Sequence, residues 1–331
     1  MKKIVITGGA GFIGSALCRF LVMNESLEII CVDKLTYASN LGSLKGLGAK
    51  LNFIECDICD ESRMREIFEE YQPDGVIHLA AESHVDRSID SAAEFIQTNV
   101  VGTQVLLDVA LEYWRCRNTF SDFRFLHVST DEVYGSMGSE GKFSESSAYD
   151  PSSPYAASKA ASDHLVMAWG RTYGLPIIIS NCSNNYGPYQ FPEKLIPLMI
   201  RKALAGEKLP VYGDGQQVRD WLHVDDHVRA LWMIFQRGRC GEKYNIGGDS
   251  ERTNLEVVQQ ILAELDLGEE LIEYVEDRPG HDVRYAINAN KIKSELGWSA
   301  KWSFMEGLRE TIQWYRDHPN YVTYESDRLG L

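Results

Sequence analysis

Short apolar runs alternate with longer stretches of helical periodicity through the first half of the chain. Phe12 to Met23 has helical spacing, and so do Ala92–Glu112 and Ala156–Tyr173. The apolar runs have the length and composition of buried strands: Ile4–Thr7, Ile29–Val32, Leu51–Cys56, Gly75–Leu79, Phe123–Val128 and Pro176–Ser180. Strands that alternate with helices predict an α/β fold built on a doubly wound parallel sheet.

The pattern changes after about residue 182, where loops rich in Gly, Pro, Asn and Tyr appear between helices such as Glu193–Ala205 and Leu255–Leu265. We interpret residues 183–331 as a smaller, mixed α/β, substrate-binding domain and residues 1–182 as the sheet domain. The boundary is soft, because later segments, for example about residues 220–246, can return to the sheet domain.

Composition limits the partners and the cellular location. With 33 Lys+Arg against 48 Asp+Glu, the net charge is −15, which argues against nucleic acid or an anionic membrane as the main partner. No apolar run of about 18 residues exists, so no membrane span is expected. The 7 cysteines form no disulfide-like pattern, which indicates reduced thiols and a cytoplasmic protein. We favour a structural role for the Cys56/Cys59 pair over metal or redox work, and we expect no metal site.

A glycine-rich turn, Thr7–Gly14, lies between the first strand and the first helix. Glycines allow close approach to a pyrophosphate, and the following helix N-terminus supplies N–H donors. Asp33 ends the second strand, where a carboxylate binds a ribose 2′-OH and repels a 2′-phosphate. The combination predicts a Rossmann-type dinucleotide site that prefers NAD to NADP; the alternative is a plain glycine-rich turn. Asp57 and Ile58 follow the third strand as a possible adenine clamp, unless Asp57 only initiates the loop.

Two groups of residues have the chemistry of a catalytic centre. Tyr155 and Lys159 share a helix face one turn apart, so a lysine charge and a positive nicotinamide can lower the pKa of the phenol. Thr130, Asp131 and Glu132 end the fifth strand, at the sheet edge where α/β proteins bind ligands. An adjacent acid and base are what a dehydration needs. The alternatives are a surface Tyr–Lys pair, a helix-capping Asp and a solvated Glu.

Several motifs in order resemble the extended short-chain dehydrogenase/reductases, and within them the nucleotide-sugar 4,6-dehydratases, over roughly residues 1–315. Besides the glycine turn and Tyr155/Lys159, they are LAAESHVDRS (Leu79–Ser88), TNVVGT (Thr98–Thr103), STDEVYG (Ser129–Gly135), NNYGPYQFPEKLIP (Asn184–Pro197), RDWLHVDDH (Arg219–His227) and DRPGHDVRY (Asp277–Tyr285). The Thr130-Asp131-Glu132 triple is the most specific of them. Sugar epimerases usually lack this Asp-Glu pair, and GDP-mannose dehydratases usually have a Ser-Glu arrangement.

The resemblance implies a lyase that converts dTDP-glucose to its 4-keto-6-deoxy derivative, a step of deoxysugar biosynthesis, with tightly bound NAD regenerated in each turnover. Tyr155 takes the C4 hydroxyl proton, Lys159 holds the ribose and Thr130 binds the 4-oxygen. Glu132 removes the C5 proton and Asp131 protonates the departing C6 hydroxyl. The alternatives are another nucleotide-sugar 4,6-dehydratase or a 4-epimerase. A non-enzymatic dinucleotide sensor is disfavoured because Tyr155 and Lys159 are both present.

The same resemblance implies two sets of binding residues. For the cofactor these are Gly8, Gly11, Phe12, Ile13, Gly14, Asp33, Lys34, Thr36, Asp57, Ile58, Leu79, Ala80, Ala81, Ser83, Thr98, Tyr155, Lys159 and Asn185. For the substrate they are Ser83, Thr130, Asn184, Lys194, Leu195, Pro210, Tyr212, Arg219, Asn254, Arg278 and His281. We expect His84 to make an ordinary loop hydrogen bond, with a ligand role as the alternative.

The resemblance also implies a homodimer that pairs Ala92–Glu112 and Ala156–Tyr173 with their counterparts in a four-helix bundle. Two segments depart from the family pattern. Residues Tyr134 to Pro154 form a shorter segment than in many bacterial members, and the tail Asn320–Leu331 matches no pattern.

Overall fold

The computed structural model describes residues 2–117, 122–277, 280–319 and 321. The strands are β1 (Lys2–Thr7), β2 (Leu27–Asp33), β3 (Leu51–Glu55), β4 (Gly75–His78), β5 (Arg124–Thr130), β6 (Ile177–Cys182), β7 (Asn184–Tyr186), β8 (Leu209–Tyr212), β9 (Val218–His223), β10 (Lys243–Ile246), β11 (Glu251–Thr253) and β12 (Ile272–Val275). The helices are α1 (Phe12–Asn24), α2 (Glu61–Tyr71), α3 (Val85–Asp90), α4 (Ala92–Phe95), α5 (Thr103–Cys116), α6 (Pro154–Tyr173), α7 (Leu195–Leu204), α8 (Val224–Arg237), α9 (Asn254–Glu264), α10 (Asn290–Leu296) and α11 (Phe304–Asp317).

The largest sheet has seven strands in the order β10-β6-β5-β4-β1-β2-β3, all of them parallel. From β1 the chain builds outward through β2 and β3 on one side and through β4, β5 and β6 on the other. The strand order therefore reverses between β1 and β4, which is where open α/β sheets bind ligands at the carboxyl ends of their strands. This topology confirms the predicted doubly wound parallel sheet.

Helices cover both faces of this sheet and enclose two apolar cores. On one face α1 packs against α8, so that Leu17 and Leu21 join Val228 and Leu231 in a solvent-free cluster. On the other face α2, α5 and α6 pack together, and Phe68 and Leu106 belong to the second cluster. Burial on both faces explains why the strands are continuous apolar runs rather than alternating ones.

The smaller part of the molecule is built from short strands and three helices. A three-stranded sheet has the order β11-β9-β7, and β8 pairs with β12 in a two-stranded sheet. Helices α7, α9 and α11 bury a third apolar cluster beside them. Capping boxes, Thr253 with Glu256 and Ser303 with Glu306, fix the first turns of α9 and α11 because each pairs otherwise unsatisfied backbone N–H groups.

Residues 224–246 lie with the large sheet, since α8 packs against it and β10 pairs with β6. In contrast, β9 pairs with β7 and β11 of the smaller part. Residue 182 ends β6, the last strand before the smaller part begins. The division of the chain into a cofactor domain and a substrate domain at this point stays a prediction.

The predicted helix Ala92–Glu112 is interrupted by a π-helical segment, Ile96–Gly102, between α4 and α5. Asn99 lies in the widened turns and its amide serves two neighbours. It accepts a hydrogen bond from the Glu82 N–H at 2.8 Å, and it donates to the Glu82 carbonyl at 3.0 Å and to Ser158 Oγ at 2.8 Å. The interruption thus ties the loop after β4 to the helix α6 that carries Tyr155 and Lys159. Within the described residues, no helix is both long and apolar enough to cross a membrane.

Candidate active site

One cleft opens at the carboxyl ends of β1, β2, β4, β5 and β6, and most of the predicted site residues line it. These residues are Gly8, Gly11, Phe12, Ile13, Gly14, Asp33, Lys34, Thr36, Ile58, Leu79, Ala80, Ala81, Ser83, Thr98, Thr130, Asp131, Glu132, Tyr155, Lys159, Asn184, Asn185 and Lys194. The parallel topology brings them together from segments far apart in the chain, because every one of these strands ends at the same edge of the sheet.

The glycine turn has no room for side chains at two positions. A Cβ on Gly14 would lie 2.1 Å from the Gly8 carbonyl oxygen, and a Cβ on Gly8 would lie 2.7 Å from the Ala80 nitrogen. Gly8 also has a φ of +69°, which other residues rarely adopt. The turn therefore packs backbone against backbone at the start of α1 and leaves the helix N-terminus open to the cleft.

Asp33, at the end of β2, is buried and has a fixed orientation. Its Oδ2 accepts a hydrogen bond from the Ala10 N–H at 3.0 Å, and its Oδ1 accepts from Ser39 Oγ at 2.7 Å and from the Leu35 N–H at 2.9 Å. The carboxylate consequently sets the shape of the glycine turn and keeps a negative charge at the cleft wall. A 2′-phosphate beside it would be repelled.

The two residues of the predicted adenine clamp differ in position. Ile58 lines the cleft, whereas Asp57 is absent from the cleft lining and accepts a hydrogen bond from the Cys59 N–H at 2.9 Å. Lys34 Nζ lies 3.0 Å from Thr98 Oγ1, 3.6 Å from Glu82 and 3.8 Å from Asp57. The hydrogen bond from Cys59 is what we expect if Asp57 initiates the loop after β3, which was the alternative interpretation. The role of Asp57 in adenine binding stays a prediction.

Tyr155 and Lys159 are both buried at the start of α6, beside the end of β5. Lys159 Nζ donates a hydrogen bond to the Val128 carbonyl at 3.0 Å. Burial raises the pKa of Tyr155 well above its ordinary value, the charge of Glu132 raises it further, and a hydrogen bond with Thr130 opposes them. The protein alone therefore favours the neutral phenol. The predicted lowering of this pKa by Lys159 and a cationic cofactor stays a prediction.

Asp131 is 2 % exposed, and its Oδ2 has no hydrogen-bond partner among the described residues. Burial raises the pKa of Asp131 well above the ordinary range, and the charges of Glu132 and Asp220 add to the effect, while Arg219 opposes it. Glu132 follows Asp131 in a single 3₁₀ turn and is less buried. Its backbone N–H donates a hydrogen bond to Thr130 Oγ1 at 3.3 Å. The arrangement places a buried carboxyl group of raised pKa beside a second carboxyl group at the cleft floor.

The substrate side is only partly gathered at the cleft. Lys194 Nζ donates to the Ser83 carbonyl at 3.0 Å, which joins two cleft-lining loops. Six of the predicted substrate residues lie outside the cleft lining: Leu195, Pro210, Tyr212, Arg219, Asn254 and His281. Arg278 lies outside the described residues, as does the tail Asn320–Leu331 apart from Tyr321.

Two of these outlying residues have structural contacts of their own. The Arg219 guanidinium donates to the Asp282 carbonyl at 3.0 Å and lies 4.3 Å from the centre of the Tyr285 ring. His281 Nδ1 lies 2.7 Å from Asp277 Oδ1. The predicted binding roles of these residues stay predictions.

Other cleft residues were not predicted: Val32, Tyr37, Ala38, Ser39, Cys56, Glu82, Val128, Ser129, Cys182, Ser183, Gln190, Phe191 and Glu193. Cys182 ends β6, so the strand-end rule that selected Thr130 could also have found it. In contrast, Tyr37 and Phe191 meet edge to face, with ring centres 5.4 Å apart, across loops that are remote in sequence. No local sequence signal marks that contact.

The remaining candidates of the sequence have structural explanations. His84 caps α3 by accepting from the Arg87 N–H at 3.3 Å, and its Nε2 lies 3.5 Å from Glu193. Cys59 Sγ lies 3.4 Å from the Gln97 carbonyl, and Cys56 Sγ lies 3.8 Å from Met64 Sδ. Among the described residues, no cluster of His, Cys, Asp or Glu side chains could hold a metal ion.

The fold, the glycine turn and the Tyr155/Lys159 pair define the class of extended short-chain dehydrogenase/reductases. The family model described as GDP-mannose 4,6 dehydratase matches residues 5–311, and the chain belongs to this family. The chain is 56% identical over 347 aligned residues to a probable dTDP-glucose 4,6-dehydratase of Sinorhizobium fredii, with 99% of each chain covered. It is 54% identical to the dTDP-glucose 4,6-dehydratase of Neisseria meningitidis, covering 100% of this chain and 99% of that one.

Solved structures of both a dehydratase and an epimerase share the fold of this chain. DesIV, a dTDP-glucose 4,6-dehydratase of Streptomyces venezuelae crystallised with NAD and TYD, superposes with a TM-score of 0.92 at 44% identity, covering 98% of this chain and 99% of that one. A UDP-glucose 4-epimerase of Thermotoga maritima superposes with a TM-score of 0.88 at 31% identity, covering 96% and 99%. These comparisons confirm the family resemblance drawn from the sequence. Because dehydratase and epimerase share the fold, the reaction must be argued from the site.

Proposed function

We propose that this protein is an NAD-dependent lyase that converts dTDP-glucose to dTDP-4-keto-6-deoxyglucose. The observation that carries the proposal is the pairing of the buried Asp131, whose pKa is raised, with Glu132 in the same cleft as Tyr155. An epimerase needs to remove and return a hydride at one carbon only. A dehydratase needs, in addition, an acid and a base for the loss of water, and this cleft holds both.

The backbone around the glycine turn has the shape that binding of NAD requires. The close packing of Gly8 and Gly14 leaves the N-terminus of α1 bare for a pyrophosphate, and the Asp33 carboxylate favours a ribose hydroxyl over a 2′-phosphate. Lys34 and Thr98, which are in hydrogen-bond contact at 3.0 Å, lie farther along the same wall. When bound, NAD accepts a hydride from C4 of the sugar and returns it to C6 in the same turnover.

Tyr155 acts as the base for the C4 hydroxyl in this scheme. Its phenolate form must be favoured during the oxidation, although burial and Glu132 raise its pKa. A positive charge on Lys159, one helical turn away, acts in the opposite direction. Thr130 contacts the phenol and is placed to share a hydrogen bond with the sugar 4-oxygen. The two side chains thereby hold the oxygen whose proton is transferred.

Asp131 and Glu132 then carry out the elimination. A 4-keto group acidifies the C5 proton, which Glu132 removes as the base. Asp131 gives its proton to the C6 hydroxyl, which leaves as water. The raised pKa of Asp131 is what this role requires, because an acid of ordinary pKa would already have lost its proton at neutral pH. When hydride returns to C6, Glu132 gives its proton back to C5. The proton that Tyr155 took from the C4 hydroxyl balances the one that Asp131 lost with the water, so the cycle closes when that proton reaches Asp131.

A panel of nucleotide sugars tests the proposal. Purified protein is incubated with dTDP-glucose, UDP-glucose and GDP-mannose, and each product is identified by mass spectrometry and by the absorbance of the 4-keto sugar. We expect the 4-keto-6-deoxy product to form fastest from dTDP-glucose. A faster reaction with GDP-mannose would assign another donor, a change of configuration at C4 without water loss would assign an epimerase, and no product with any donor would refute the enzyme.

The assembly, the location and the domain roles belong to the proposal as well. Three exposed apolar side chains support a homodimer that pairs helices of two subunits: Ile89 in α3, and Ile96 and Val101 in the π-helical segment before α5. Sedimentation equilibrium tests it, and a monomer at micromolar concentration contradicts it. The cytoplasmic location, argued from the cysteines, and the assignment of residues 1–182 to NAD and 183–331 to the nucleotide sugar are kept as predictions.

A further inference from the structure

A buried polar cluster lies behind Lys159, on the side away from the cleft. Lys159 is 4 % exposed, and His127 Nε2 lies 3.4 Å from its Nζ. Asp163 Oδ1 lies 3.3 Å from the same Nε2, so the carboxylate and the ammonium approach one nitrogen of the imidazole. Asp163 follows Lys159 by one turn of α6 and is 1 % exposed. The reaction proposed above uses neither His127 nor Asp163, so their burial needs another explanation.

The second oxygen of Asp163 is held by donors from two other segments. Tyr149 Oη donates to Oδ2 at 2.7 Å, and Asn181 Nδ2 donates to it at 3.2 Å. Asn181 also donates to the Thr130 carbonyl at 3.1 Å, so the carboxylate is connected to the strand end that carries the catalytic carboxyls. Burying a charged group without partners is costly, and the two donors on Oδ2 offset part of that cost.

We infer that Asp163 is a positioning residue of the proposed reaction: its negative charge, one helical turn from Lys159 in the same buried cluster, holds the ammonium of Lys159 in its charged form behind Tyr155. The inference rests on the proposed function, because it is in the oxidation of a C4 hydroxyl that this charge is needed. Asp163 touches neither the cleft nor Tyr155, and it acts through Lys159 alone.

The charge balance of the cluster supports the inference. Burial lowers the pKa of Lys159 to about 8, with the negative charge of Asp163 acting in the opposite direction. Burial and the charge of Lys159 lower the pKa of His127 to about 4, so the imidazole is neutral at physiological pH. Burial alone would raise the pKa of Asp163, but His127 and Lys159 outweigh it and the net shift is downward. The cluster therefore holds one positive and one negative charge.

Groups on the neighbouring strands do not replace Asp163. On β4, burial lowers the pKa of His78, which faces His127 at 5.1 Å between ring centres and is neutral. On β6, burial raises the pKa of the Cys182 thiol, which also stays neutral. On β10, Lys243 lies 4.6 Å from the centre of the Tyr149 ring and adds positive charge beside Asp163. Glu132 and Asp131 face Tyr155 from the cleft side, where a negative charge disfavours the phenolate.

The pH dependence of turnover tests the inference with Asp163→Asn, which keeps the shape and an oxygen for Tyr149. Loss of the carboxylate lets Lys159 release its proton at lower pH, so the basic limb of the kcat profile moves down by about one pH unit or more. At pH 8.5 this corresponds to roughly a tenfold loss, with a smaller loss near pH 6.5. A uniform loss at every pH, or an unchanged profile, overturns the inference.

Asp108→Asn is the matched control. Asp108 lies on α5 and accepts a hydrogen bond from Trp169 Nε1 of α6 at 3.1 Å, so it contacts the same helix without joining the cluster. We expect its pH profile to keep both limbs in place. If this variant moves the basic limb as far as Asp163→Asn does, the effect is one of helix packing and the inference is wrong.

A measurement of stability completes the test without relying on turnover. Lys159→Met and Asp163→Asn each leave one buried charge unpaired, whereas the double variant removes both charges. We expect the double variant to unfold at a higher urea concentration than Asp163→Asn, and the same ordering holds if Asp163→Asn does not fold at all. Additive losses, or a double variant that fails to fold, overturn the charge pairing. If the wild-type protein has no dehydratase activity, the proposed function is refuted. The comparison of the single and double variants still tests the charge pairing in that case, because it measures only unfolding.

Discussion

The Asp33 carboxylate accepts a hydrogen bond from the backbone amide of Ala10 at 3.0 Å, and this contact joins the end of β2 to the glycine turn after β1. One side chain therefore has two effects. It fixes the glycine turn, and it places at the cleft wall a negative charge that would repel a 2′-phosphate.

Asp33→Asn should weaken NAD binding and reduce its preference over NADP. An amide has one acceptor oxygen, so it cannot accept all of the bonds from Ala10, Leu35 and Ser39, and it no longer repels a 2′-phosphate. The predicted hydrogen bond from the ribose 2′-OH to this charged group contributes about 1.5–3 kcal/mol, so losing it corresponds to a roughly tenfold or larger loss of NAD affinity. Titration of cofactor-stripped protein with NAD and NADP measures both constants.

Asp60→Asn is a suitable control for that titration. Asp60 caps α2 by accepting from the Arg63 N–H at 3.0 Å, and asparagine is an equally good helix cap. Both affinities should stay at the wild-type values. If Asp33→Asn keeps the wild-type ratio of NAD to NADP affinity, its carboxylate does not select the cofactor.

Gly14→Ala should abolish cofactor retention and destabilise the protein. The new Cβ would lie 2.1 Å from the Gly8 carbonyl oxygen, so the start of α1 has to move away from β1. Overpacking of this kind costs about 1–3 kcal/mol in the free energy of unfolding. Gly138→Ala, where the added Cβ meets nothing within 4 Å, is the control. Urea unfolding and the NAD content of the purified protein give the readouts, and equal values for the two variants contradict the prediction.

Local patterns in the sequence were enough to predict the sheet and to propose catalytic residues at its edge. Apolar runs of strand length and the strand-end rule depend on neighbouring residues, so Thr130 and Tyr155 could be placed before the topology was known. The strand β10 could not, because Lys243–Ile246 is four residues long and begins with a lysine. Its burial comes from pairing with β6, which is a long-range contact.

Long-range packing also explains the parts of the site that were missed. Glu82 and Asn99 meet because the π-helical segment turns the Asn99 amide toward the loop after β4, and helical periodicity does not reveal an inserted residue. Conversely, Pro210 and Tyr212 were predicted from the family resemblance, but β8 pairs with β12 rather than with a strand of the cleft. Their predicted contact with the nucleotide depends on how the smaller part folds, and sequence spacing does not contain that information.

Glu132→Gln should allow the oxidation of C4 and stop the loss of water. The amide cannot accept the C5 proton, while Tyr155 and Lys159 are unchanged, so a reduced-cofactor absorbance should build up with substrate bound. In deuterated water, the C5 proton should not exchange. Glu140→Gln, on an exposed loop, is the control and should turn over normally. Normal turnover or C5 exchange in Glu132→Gln would remove Glu132 from the role of base.

Tyr155→Phe should slow the first oxidation by about a hundredfold or more, the usual contribution of a positioned base. The change removes one hydroxyl and leaves the ring and its edge contact with Phe95 in place. Tyr173→Phe, at the exposed end of the same helix, controls for loss of a tyrosine hydroxyl from α6. Single-turnover absorbance of the reduced cofactor gives the rate, and a wild-type rate in Tyr155→Phe would show that another group takes the proton.

Asp131→Asn should make the protein more stable at neutral pH while it slows the loss of water. The pKa of Asp131 is raised in the folded state by burial and by the charges of Glu132 and Asp220. The folded state therefore keeps a proton that the unfolded chain releases above about pH 4, so this carboxyl reduces stability as pH rises. Removing it should gain about 1–3 kcal/mol at pH 8, the cost of a buried group without a partner, and much less at pH 5.

Urea unfolding of wild type and Asp131→Asn at the two pH values measures that difference, with cofactor removed from both so that binding does not contribute. Asp90→Asn, an exposed residue at the end of α3, should show no difference at either pH. A variant less stable than wild type at pH 8, or a gain of equal size at pH 5, would mean that Asp131 is stabilised in its charged form. Such a carboxyl could not be the acid that protonates the leaving hydroxyl.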